Sequence, residues 1–259
     1  MSGRLDNKVA IVTGAASGIG EQTVRRFVYE GARVIAADKN VDALQTVAHE
    51  IDAVGDACVA LPGDVASRAD TEKIANAAVE QFGRLDVLVN SAGITRRDVR
   101  ADTDLETAWE AVMRVNLKGA MLMCHAVLGP MRDSGGGSIV NLASVMSQVV
   151  HPGSLGLSDG FNPYPQSKGG IVQLTRDLGV NLAREGVRVN AVCPGFVDTY
   201  LTRGLKGDPA LYEKVANLHP MGRFARPEEI ANVIVFLASD EASFVTAAAW
   251  MVDGGYTAI

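Results

Sequence analysis

The sequence contains Thr13-Gly14-Ala15-Ala16-Ser17-Gly18-Ile19-Gly20 directly after a short apolar run at residues 9–12 and before a helical pattern that continues to Glu30. Glycine at such positions lets the backbone turn tightly and lets a pyrophosphate approach, and the N–H groups at a helix start attract an anion. The spacing G-x-x-x-G-x-G therefore predicts a strand, a turn and a helix that bind a dinucleotide. Taken alone, this motif could also be a strand-to-helix connection that binds no ligand.

The same order of short apolar runs and longer helical patterns repeats along the whole chain. It is typical of the α/β class, here a Rossmann-like doubly wound parallel sheet with helices on both faces. The runs are nearly all apolar, as expected of strands that are buried on both faces. Because no linker or repeat interrupts the order, we predict a single dinucleotide-binding domain over residues 1–259. The seven predicted strands are residues 9–12, 34–37, 58–61, 87–89, 139–142, 187–192 and 247–252.

The composition argues against several classes of partner. With 24 Lys and Arg against 30 Asp and Glu, the net charge is −6, and no basic run forms a patch for a nucleic acid. No uncharged apolar stretch reaches the roughly 20 residues of a membrane span, and residues 1–8 have no apolar signal core. We therefore expect a cytoplasmic protein that binds neither nucleic acid nor a membrane.

The cysteines and histidines form no metal-binding pattern. Cys58, Cys124 and Cys193 lie 66 and 69 residues apart, so they make no C-x-x-C pair, and a disulfide framework would leave one thiol over. The four histidines lack the H-E-x-x-H spacing of zinc enzymes. We expect a reducing compartment and no metal site.

Asp38 ends the second predicted strand, 18 residues after Gly20. A carboxylate near this distance hydrogen-bonds the adenosine ribose of a dinucleotide, and its charge repels a 2′-phosphate. Asp38 therefore favours NAD(H) over NADP(H). Lys39 could partly offset the repulsion, and a solvated acid at a strand end is the alternative.

Two stretches interrupt the alternation. Residues 145–163 follow the fifth predicted strand without periodicity, and residues 198–221 follow the sixth with two short helical candidates. Segments that follow the carboxyl ends of strands in an open α/β sheet line the ligand crevice. We predict a substrate loop at 145–163 and a substrate-covering helical segment at 198–221.

Tyr164 and Lys168 are four residues apart, with Pro165 suited to the first turn of a helix, so both side chains project from one helical face. An ammonium beside a phenol favours the phenolate, and such a pair can exchange a proton with an alcohol or a carbonyl oxygen. Ser144 follows the fifth strand and could hydrogen-bond the reacting oxygen; a helix cap is its alternative role. Asn116 lies inside an amphipathic stretch, where asparagine is an indifferent helix former.

These residues resemble the short-chain dehydrogenase/reductase family in its short, single-domain, NAD-type branch. The resemblance extends over essentially the whole chain, and its motifs are specific jointly although not singly. They are Thr13-Gly14 through Gly20, Asn90-Ser91-Ala92-Gly93, Asn116, Ser144, Tyr164-x-x-x-Lys168, Pro194-Gly195-x-x-x-Thr199 and Asp253-Gly254-Gly255.

The resemblance implies a role for each matching residue. Tyr164 resembles the general acid/base, and Lys168 the lysine that lowers the pKa of that tyrosine and binds the nicotinamide ribose. Ser144 resembles the hydroxyl that orients the substrate oxygen, and Asn116 the asparagine that holds a relay water. The implied cofactor-binding residues are Gly14, Ser17, Gly18, Ile19, Gly20, Asp38, Asp64, Val65, Asn90, Ala92, Gly93, Tyr164, Lys168, Pro194, Gly195, Val197 and Thr199. We expect the substrate to contact Ser144, Met146, Tyr164 and Phe196.

The chain departs from the family pattern at two places. Ser91 stands where members often have a second asparagine, so the side-chain support of the central sheet is expected to differ there. The gap of 20 residues from Ser144 to Tyr164 is longer than the family spacing. The extra residues are expected within the substrate loop, which affects the shape of the pocket and leaves the four catalytic positions intact.

The leading prediction is an NAD(H)-dependent oxidoreductase that transfers a hydride between the nicotinamide and a secondary alcohol, with a sugar, polyol or alicyclic alcohol preferred. A 3-oxoacyl carrier-protein reductase that uses NADPH is the alternative, suggested by Gly93-Ile94-Thr95-Arg96 and opposed by Ser17 and Asp38. A non-catalytic dinucleotide-binding sensor is the alternative from another class. The family usually pairs two helices between subunits, here within 105–131 and 166–184, which implies a homotetramer; apolar stripes buried within one chain are the alternative.

Overall fold

One sheet of seven parallel strands forms the centre of the computed structural model, which describes residues 3–52, 56–157 and 160–259. Its strands are β1 (Val9–Thr13), β2 (Arg33–Asp38), β3 (Cys58–Pro62), β4 (Val87–Asn90), β5 (Gly137–Leu142), β6 (Val187–Pro194) and β7 (Ala249–Val252). They lie in the order β3-β2-β1-β4-β5-β6-β7. The prediction of a doubly wound α/β fold with a seven-stranded parallel sheet is confirmed.

The order of the strands reverses beside β1. The chain proceeds outward from β1 to β3 and then returns to pair β4 with the other side of β1, in a register that places Thr13 opposite Asn90. The hydroxyl of Thr13 accepts the N–H groups of Ser91 and Ala92, each at 3.2 Å. A crevice for a ligand opens at such a reversal, outside the carboxyl ends of the strands.

Helices cover both faces of this sheet because successive strand residues point to opposite sides. Ala10 and Val12 of β1 pack in one apolar cluster with Phe27, whereas Val9 and Ile11 pack in a second cluster. The helices are α1 (Gly18–Tyr29), α2 (Val41–Ile51), α3 (Arg68–Phe82), α4 (Leu105–Met113), α5 (Ala120–Asp133), α6 (Pro163–Asn181), α7 (Arg203–Lys206), α8 (Pro209–Ala216) and α9 (Pro227–Ala238), with a π-helical turn at Arg114–Gly119.

The strand boundaries differ from the predicted ones by at most a few residues. The strand β7 begins at Ala249, two residues later than predicted, although an apolar run starts at Ala247. Ala247 has a positive φ of 58°, in the left-handed region, and its backbone approaches Gly179 of α6. The chain therefore turns at Ala247 before the extended strand conformation begins.

The helical stretch Leu105–Asp133 is long and apolar enough, by length and composition, to cross a membrane, with a mean hydropathy of 1.2. In the structure its residues Met123, Val127 and Met131 are buried in the same apolar cluster as Ile74 of α3. One face of the stretch therefore packs in the core, and a helix that packs against the core of a globular protein can pass the same test.

Candidate active site

A cavity of about 630 Å³ opens at the carboxyl ends of the strands. It extends from the end of β2 across the β1–α1 turn to the ends of β5 and β6. Most of the residues singled out from the sequence line it, although they are far apart along the chain. They are Gly14, Ser17, Gly18, Ile19, Asp38, Asp64, Val65, Ala92, Gly93, Ser144, Tyr164, Lys168, Pro194, Gly195, Val197 and Thr199.

The turn between β1 and α1 depends on its glycines. Gly14 has φ +66°, and a Cβ atom there would lie 2.8 Å from the backbone N of Ala92. A Cβ atom on Gly20 would lie 2.1 Å from the carbonyl oxygen of Gly14, so Gly20 packs the helix against the turn. Ser17 precedes α1 and makes no side-chain cap. The first N–H groups of α1 are thus available to an anionic ligand at the cavity wall.

The carboxylate of Asp38 is held at the edge of the cavity by backbone donors. Its Oδ2 accepts the N–H of Ala16 at 3.1 Å, and its Oδ1 accepts the N–H of Asn40 at 2.9 Å. These bonds fix the side chain between the glycine turn and the start of α2. Lys39 also lines the cavity, so a cation does lie beside the carboxylate.

Asp64 and Val65 form the wall of the cavity beyond β3. The Oδ1 of Asp64 accepts the N–H of Ala66 at 2.9 Å, and the backbone N–H of Asp64 donates to Oδ2 of Asp70 at 2.8 Å. A Cβ atom on Gly119 would lie 2.8 Å from Cγ2 of Val65, so the π-helical turn packs closely on this wall.

Tyr164 and Lys168 lie one turn apart at the start of α6. Asn162 caps this helix by accepting the N–H of Tyr164 at 3.1 Å. The ammonium of Lys168 is buried, lies 5.6 Å from the centroid of the Tyr164 ring and donates to the carbonyl oxygen of Leu142 at 2.6 Å. The end of β5 therefore fixes the position of Lys168 beside the phenol.

Burial controls the protonation of both groups. It raises the pKa of Tyr164 to about 12, and a hydrogen bond with Ser144 acts in the opposite direction. Burial also lowers the pKa of Lys168 to about 8, with the neighbouring Cys193 acting against it. At neutral pH the phenol is thus protonated and the amine still mostly charged, so Tyr164 is in its acid form and the phenolate requires stabilisation from its surroundings.

Ser144 links Tyr164 to the loop after β5. Its Oγ accepts the N–H of Met146 at 3.1 Å, which caps a short 3-10 turn, and its hydroxyl also hydrogen-bonds Tyr164. The capping role considered for Ser144 from the sequence is therefore present in the structure, and its hydrogen bond to the reacting oxygen stays a prediction.

Asn116 lies in the π-helical turn, behind the cavity wall. Its Oδ1 accepts the N–H of Ile94 at 2.8 Å, and its Nδ2 donates to the carbonyl of Ile94 at 2.9 Å and to Oγ of Ser167 at 3.0 Å. Ser167 in turn donates to the carbonyl of Tyr164 at 2.7 Å. The asparagine thus connects the segment after β4 to the first turn of α6. Ser167, which directly precedes Lys168, was not predicted as part of the site.

Asn90 points away from the cavity. Its Nδ2 donates to Oδ1 of Asn141 at 2.9 Å, and Nδ2 of Asn141 donates to Oγ1 of Thr175 at 3.0 Å. These buried side chains join β4, β5 and α6. The following residues Ser91, Ala92 and Gly93 line the cavity instead.

Met146 and Phe196 lie beside the cavity, in an apolar cluster next to Tyr164. The cluster is built on Val145, Met146 and Tyr256, with Val149, Tyr164, Phe196 and Leu218 packed against it. Three of the four predicted substrate contacts thus come together here. Tyr256 was not predicted as part of the site, although it directly follows the Asp253-Gly254-Gly255 motif.

The two irregular stretches contact each other. Leu155 and Leu157, from 145–163, pack against an apolar cluster that contains Leu205 and Val215, from 198–221. Tyr200, Leu201 and Thr202 of the second stretch line the cavity. Ser158 and Asp159 of the first stretch lie outside the described residues.

Several residues of the cavity wall carry no sequence signal of their own. Asn40, Gly63 and Ile94 lie one or two positions from a predicted residue, so proximity to a motif could have found them. Val115 likewise directly precedes the predicted residue Asn116, whereas Asp98 reaches the cavity through the tertiary fold alone. The other lining residues of this kind are Ala16, Ala37, Ala43, Leu142 and Ala143.

Known proteins resemble the chain over nearly its whole length. The family model described as Enoyl-(Acyl carrier protein) reductase matches residues 14–257. The chain is 40% identical to 3-oxoacyl-[acyl-carrier-protein] reductase FabG of Thermotoga maritima, over 97% of this chain and 98% of that protein. It is also 40% identical to D-threitol dehydrogenase of Mycolicibacterium smegmatis, over 98% of this chain and 94% of that protein. The crystal structure of a short-chain type dehydrogenase/reductase from Mycobacterium marinum superposes with a TM-score of 0.87 at 33% identity, covering 98% of this chain and 97% of that one.

Proposed function

The chain belongs to the short-chain dehydrogenase/reductase family and is an oxidoreductase that acts on CH–OH groups, and we propose that it interconverts a secondary alcohol and a ketone with NAD(H). Tyr164 is the general acid/base in this proposal. The observation that carries it is the position of Tyr164, Ser144 and Lys168 together on the wall of the cavity that begins at the glycine turn. We propose a sugar, polyol or alicyclic alcohol as the substrate, in keeping with the similarity to D-threitol dehydrogenase.

The cavity fits a nicotinamide dinucleotide, the cofactor class of this family. The glycine turn leaves no room for a Cβ atom at Gly14 and places the start of α1 at the cavity wall, where a pyrophosphate is stabilised. The fixed carboxylate of Asp38 suits the two ribose hydroxyls and opposes a 2′-phosphate, which supports NAD(H) over NADP(H). Pro194, Val197 and Thr199 would hold the nicotinamide end, close to Tyr164 and Lys168.

When bound, the nicotinamide dinucleotide supplies the hydride acceptor in alcohol oxidation and the hydride donor in ketone reduction. In oxidation, the phenolate of Tyr164 takes the proton of the alcohol while the hydrogen on the carbinol carbon leaves with its electron pair, and the C–O bond becomes a carbonyl. In reduction, the phenol returns that proton to the oxygen. The raised pKa of Tyr164 keeps the proton in place for reduction at neutral pH.

The neighbours of Tyr164 make both steps feasible. The ammonium of Lys168, held by the carbonyl of Leu142, stabilises the phenolate that oxidation requires. The hydroxyl of Ser144 is placed to hydrogen-bond the same substrate oxygen as Tyr164 and so to orient the carbinol. Asn116 acts through Ser167 and Ile94, whose positions it fixes.

A 3-oxoacyl carrier-protein reductase remains the second candidate, because FabG of Thermotoga maritima is 40% identical to the chain and Lys39 lies beside Asp38. Arg96 belongs to the Gly93-Ile94-Thr95-Arg96 motif that suggested this reductase, but its side chain has a structural role here. Its guanidinium donates to the carbonyls of Arg100 and Thr103, at 3.3 and 2.8 Å, and so orders the segment before α4.

Initial rates with NAD⁺ and NADP⁺ test the proposal, across polyols, sugars, cyclic alcohols and 3-hydroxyacyl thioesters. We expect oxidation of a polyol or cyclic alcohol with NAD⁺ preferred. Tyr164→Phe should lower turnover by at least a thousandfold while NADH binding, followed by fluorescence, stays within about twofold. Tyr29→Phe, at an exposed position on α1, is the matched control. Preference for a thioester with NADPH would select the second candidate, and undiminished turnover by Tyr164→Phe would refute the mechanism.

We also propose that the protein is a cytoplasmic homotetramer. Exposed apolar side chains on the two helical stretches named for subunit pairing support this assembly, among them Leu105, Trp109, Met121 and Val180. Light scattering measures the mass directly. A monomer in solution would contradict the tetramer without affecting the chemistry.

A further inference from the structure

Two polar atoms next to the substrate side of the cavity have no hydrogen-bond partner. Among the described residues, the buried side-chain atoms of this kind are Nδ1 of His151, the hydroxyl of Tyr256, Nε of Arg26 and Oδ1 of Asn90. Arg26 and Asn90 are distant from Phe196. His151 and Tyr256, in contrast, flank the aromatic side chains around it.

The rings of these residues form a continuous row. His151 lies 5.3 Å from Phe196, Phe196 lies 5.8 Å from His219 in an edge-to-face arrangement, and His219 lies 5.3 Å from Tyr256, all between ring centroids. Phe196 directly follows Pro194-Gly195, which lines the cavity at its nicotinamide end. The row therefore borders the place where a substrate would meet Tyr164.

Tyr256 is the better enclosed of the two. Only 8% of its surface is exposed, and it packs with Met146 in the cluster that also contacts Tyr164 and Phe196. The neighbouring His219 is not available as a hydrogen-bond partner for the Tyr256 hydroxyl. Nε2 of His219 accepts the N–H of Phe196 at 3.0 Å, and Nδ1 lies 3.2 Å from the carbonyls of Val215 and Ala216. Both ring nitrogens of His219 are thus already in use.

A buried polar atom without a partner lowers the stability of the fold, so such atoms mark positions where a ligand can supply the missing bond. Burial raises the pKa of Tyr256, which keeps its hydroxyl neutral and able to donate. Burial and the charge of Arg97 lower the pKa of His151, which keeps the imidazole neutral with one donor and one acceptor nitrogen. Both groups are therefore neutral hydrogen-bonding partners that suit the hydroxyl groups of a ligand.

We propose that the hydroxyl of Tyr256 and the imidazole of His151 hydrogen-bond oxygen atoms of the substrate other than the reacting one, and so select polyhydroxylated alcohols over mono-alcohols of the same size. The inference rests on the proposed function and narrows its substrate class to polyols and sugars. A site built to bond a hydroxyl rejects the analogue that lacks it, because the protein groups are then left unpaired.

Paired substrates of the full-length protein test the inference. The pairs are cyclohexane-1,2-diol, as cis and both trans isomers, against cyclohexanol, and the four-carbon tetritols against butan-2-ol, all with NAD⁺. For the wild type we expect kcat/KM to favour at least one polyol by tenfold or more. Tyr256→Phe keeps the ring and removes the hydroxyl, and His151→Phe replaces the imidazole by an aromatic ring without polar atoms. Each substitution should reduce that preference by roughly tenfold, chiefly because kcat/KM for the polyol falls.

Controls separate this role from a structural one. Tyr29→Phe and His49→Phe make the same changes at exposed positions and should leave the preference unchanged. The NADH affinity of Tyr256→Phe should stay at the wild-type value, and its melting temperature should stay the same or rise because an unpartnered buried hydroxyl is removed. Loss of a merely structural residue would lower the melting temperature and leave the ratio between two substrates unchanged. An unchanged preference in both variants, or a wild type that favours the mono-alcohols, overturns the inference alone. A wild type that oxidises no alcohol overturns the proposed function as well.

Discussion

The side-chain amide of Asn116 pairs with the backbone of Ile94 on both sides: Oδ1 accepts its N–H at 2.8 Å, and Nδ2 donates to its carbonyl at 2.9 Å. The pairing imitates one rung of a β-ladder between a helix and the loop after β4. It arises where the helix widens into the π-helical turn Arg114–Gly119, a local irregularity that often accompanies function.

Replacing Asn116 by alanine should therefore affect both stability and catalysis. The N–H and carbonyl of Ile94 lose their partners, which should lower the free energy of unfolding by about 1–3 kcal/mol. The first turn of α6 also loses its connection through Ser167, so kcat should fall by at least about tenfold while NADH binding changes less. Urea unfolding and steady-state kinetics measure the two effects. Asn217→Ala, at an exposed position after α8, is the control that should change neither.

Asp38→Asn should relax the choice of cofactor. The substitution removes the negative charge and keeps an oxygen for one of the two backbone N–H groups that Asp38 accepts. Without the repulsion, kcat/KM with NADP⁺ relative to NAD⁺ should rise by about tenfold or more. Asp42→Asn, an exposed acid on α2, gives the effect of a lost charge outside the cavity. A ratio that responds equally to both substitutions would contradict a specific role for Asp38.

The pH profiles should differ between the two directions. For oxidation, the phenolate fraction of Tyr164 grows tenfold per pH unit because its pKa is raised to about 12, while the ammonium of Lys168 is lost above its pKa of about 8. The logarithm of kcat/KM should rise with unit slope to about pH 8 and then level off. For reduction, the phenol stays protonated, so the rate should be constant to about pH 8 and fall above it. Initial rates from about pH 6 to about pH 10 test both shapes, and a reduction rate that is constant throughout would argue against a role for the Lys168 charge.

Gly195→Ala should disturb the segment between Pro194 and Phe196. A Cβ atom there would lie 2.6 Å from Nε2 of His219 and 3.1 Å from the backbone of Asp253. The clash displaces the imidazole that accepts the N–H of Phe196, so we expect a loss of about 1–3 kcal/mol of stability and weaker substrate binding. Gly129→Ala adds the same atom to open space on α5 and should stabilise the protein by up to about 1 kcal/mol. Thermal unfolding distinguishes them, and equal melting temperatures would refute the argument.

The sequence predicted the sheet well because each strand is a short apolar run that is buried on both faces. The start of β7 was predicted two residues too early, since the positive φ of Ala247 follows from the approach of α6 and not from the local residues. The site was predicted where it lies within a few residues of a strand end, as Asp38 and Ser144 do. His219 could not be predicted, because packing alone brings it to the site. Ser167 and Tyr256 each adjoin a residue of a quoted motif, but only the packing of the fold shows their contacts.

The reversal of strand order beside β1 has a consequence for how such an enzyme diversifies. Asp38 lies at the end of β2, on one side of the reversal, whereas Met146, His151, Phe196 and Tyr256 follow β5, β6 and β7 on the other. Substitutions that redirect the coenzyme and substitutions that redirect the alcohol therefore fall on separate halves of the chain. Because the effects of distant substitutions are usually additive, the coenzyme preference and the alcohol preference can each evolve, or be engineered, without a change in the other.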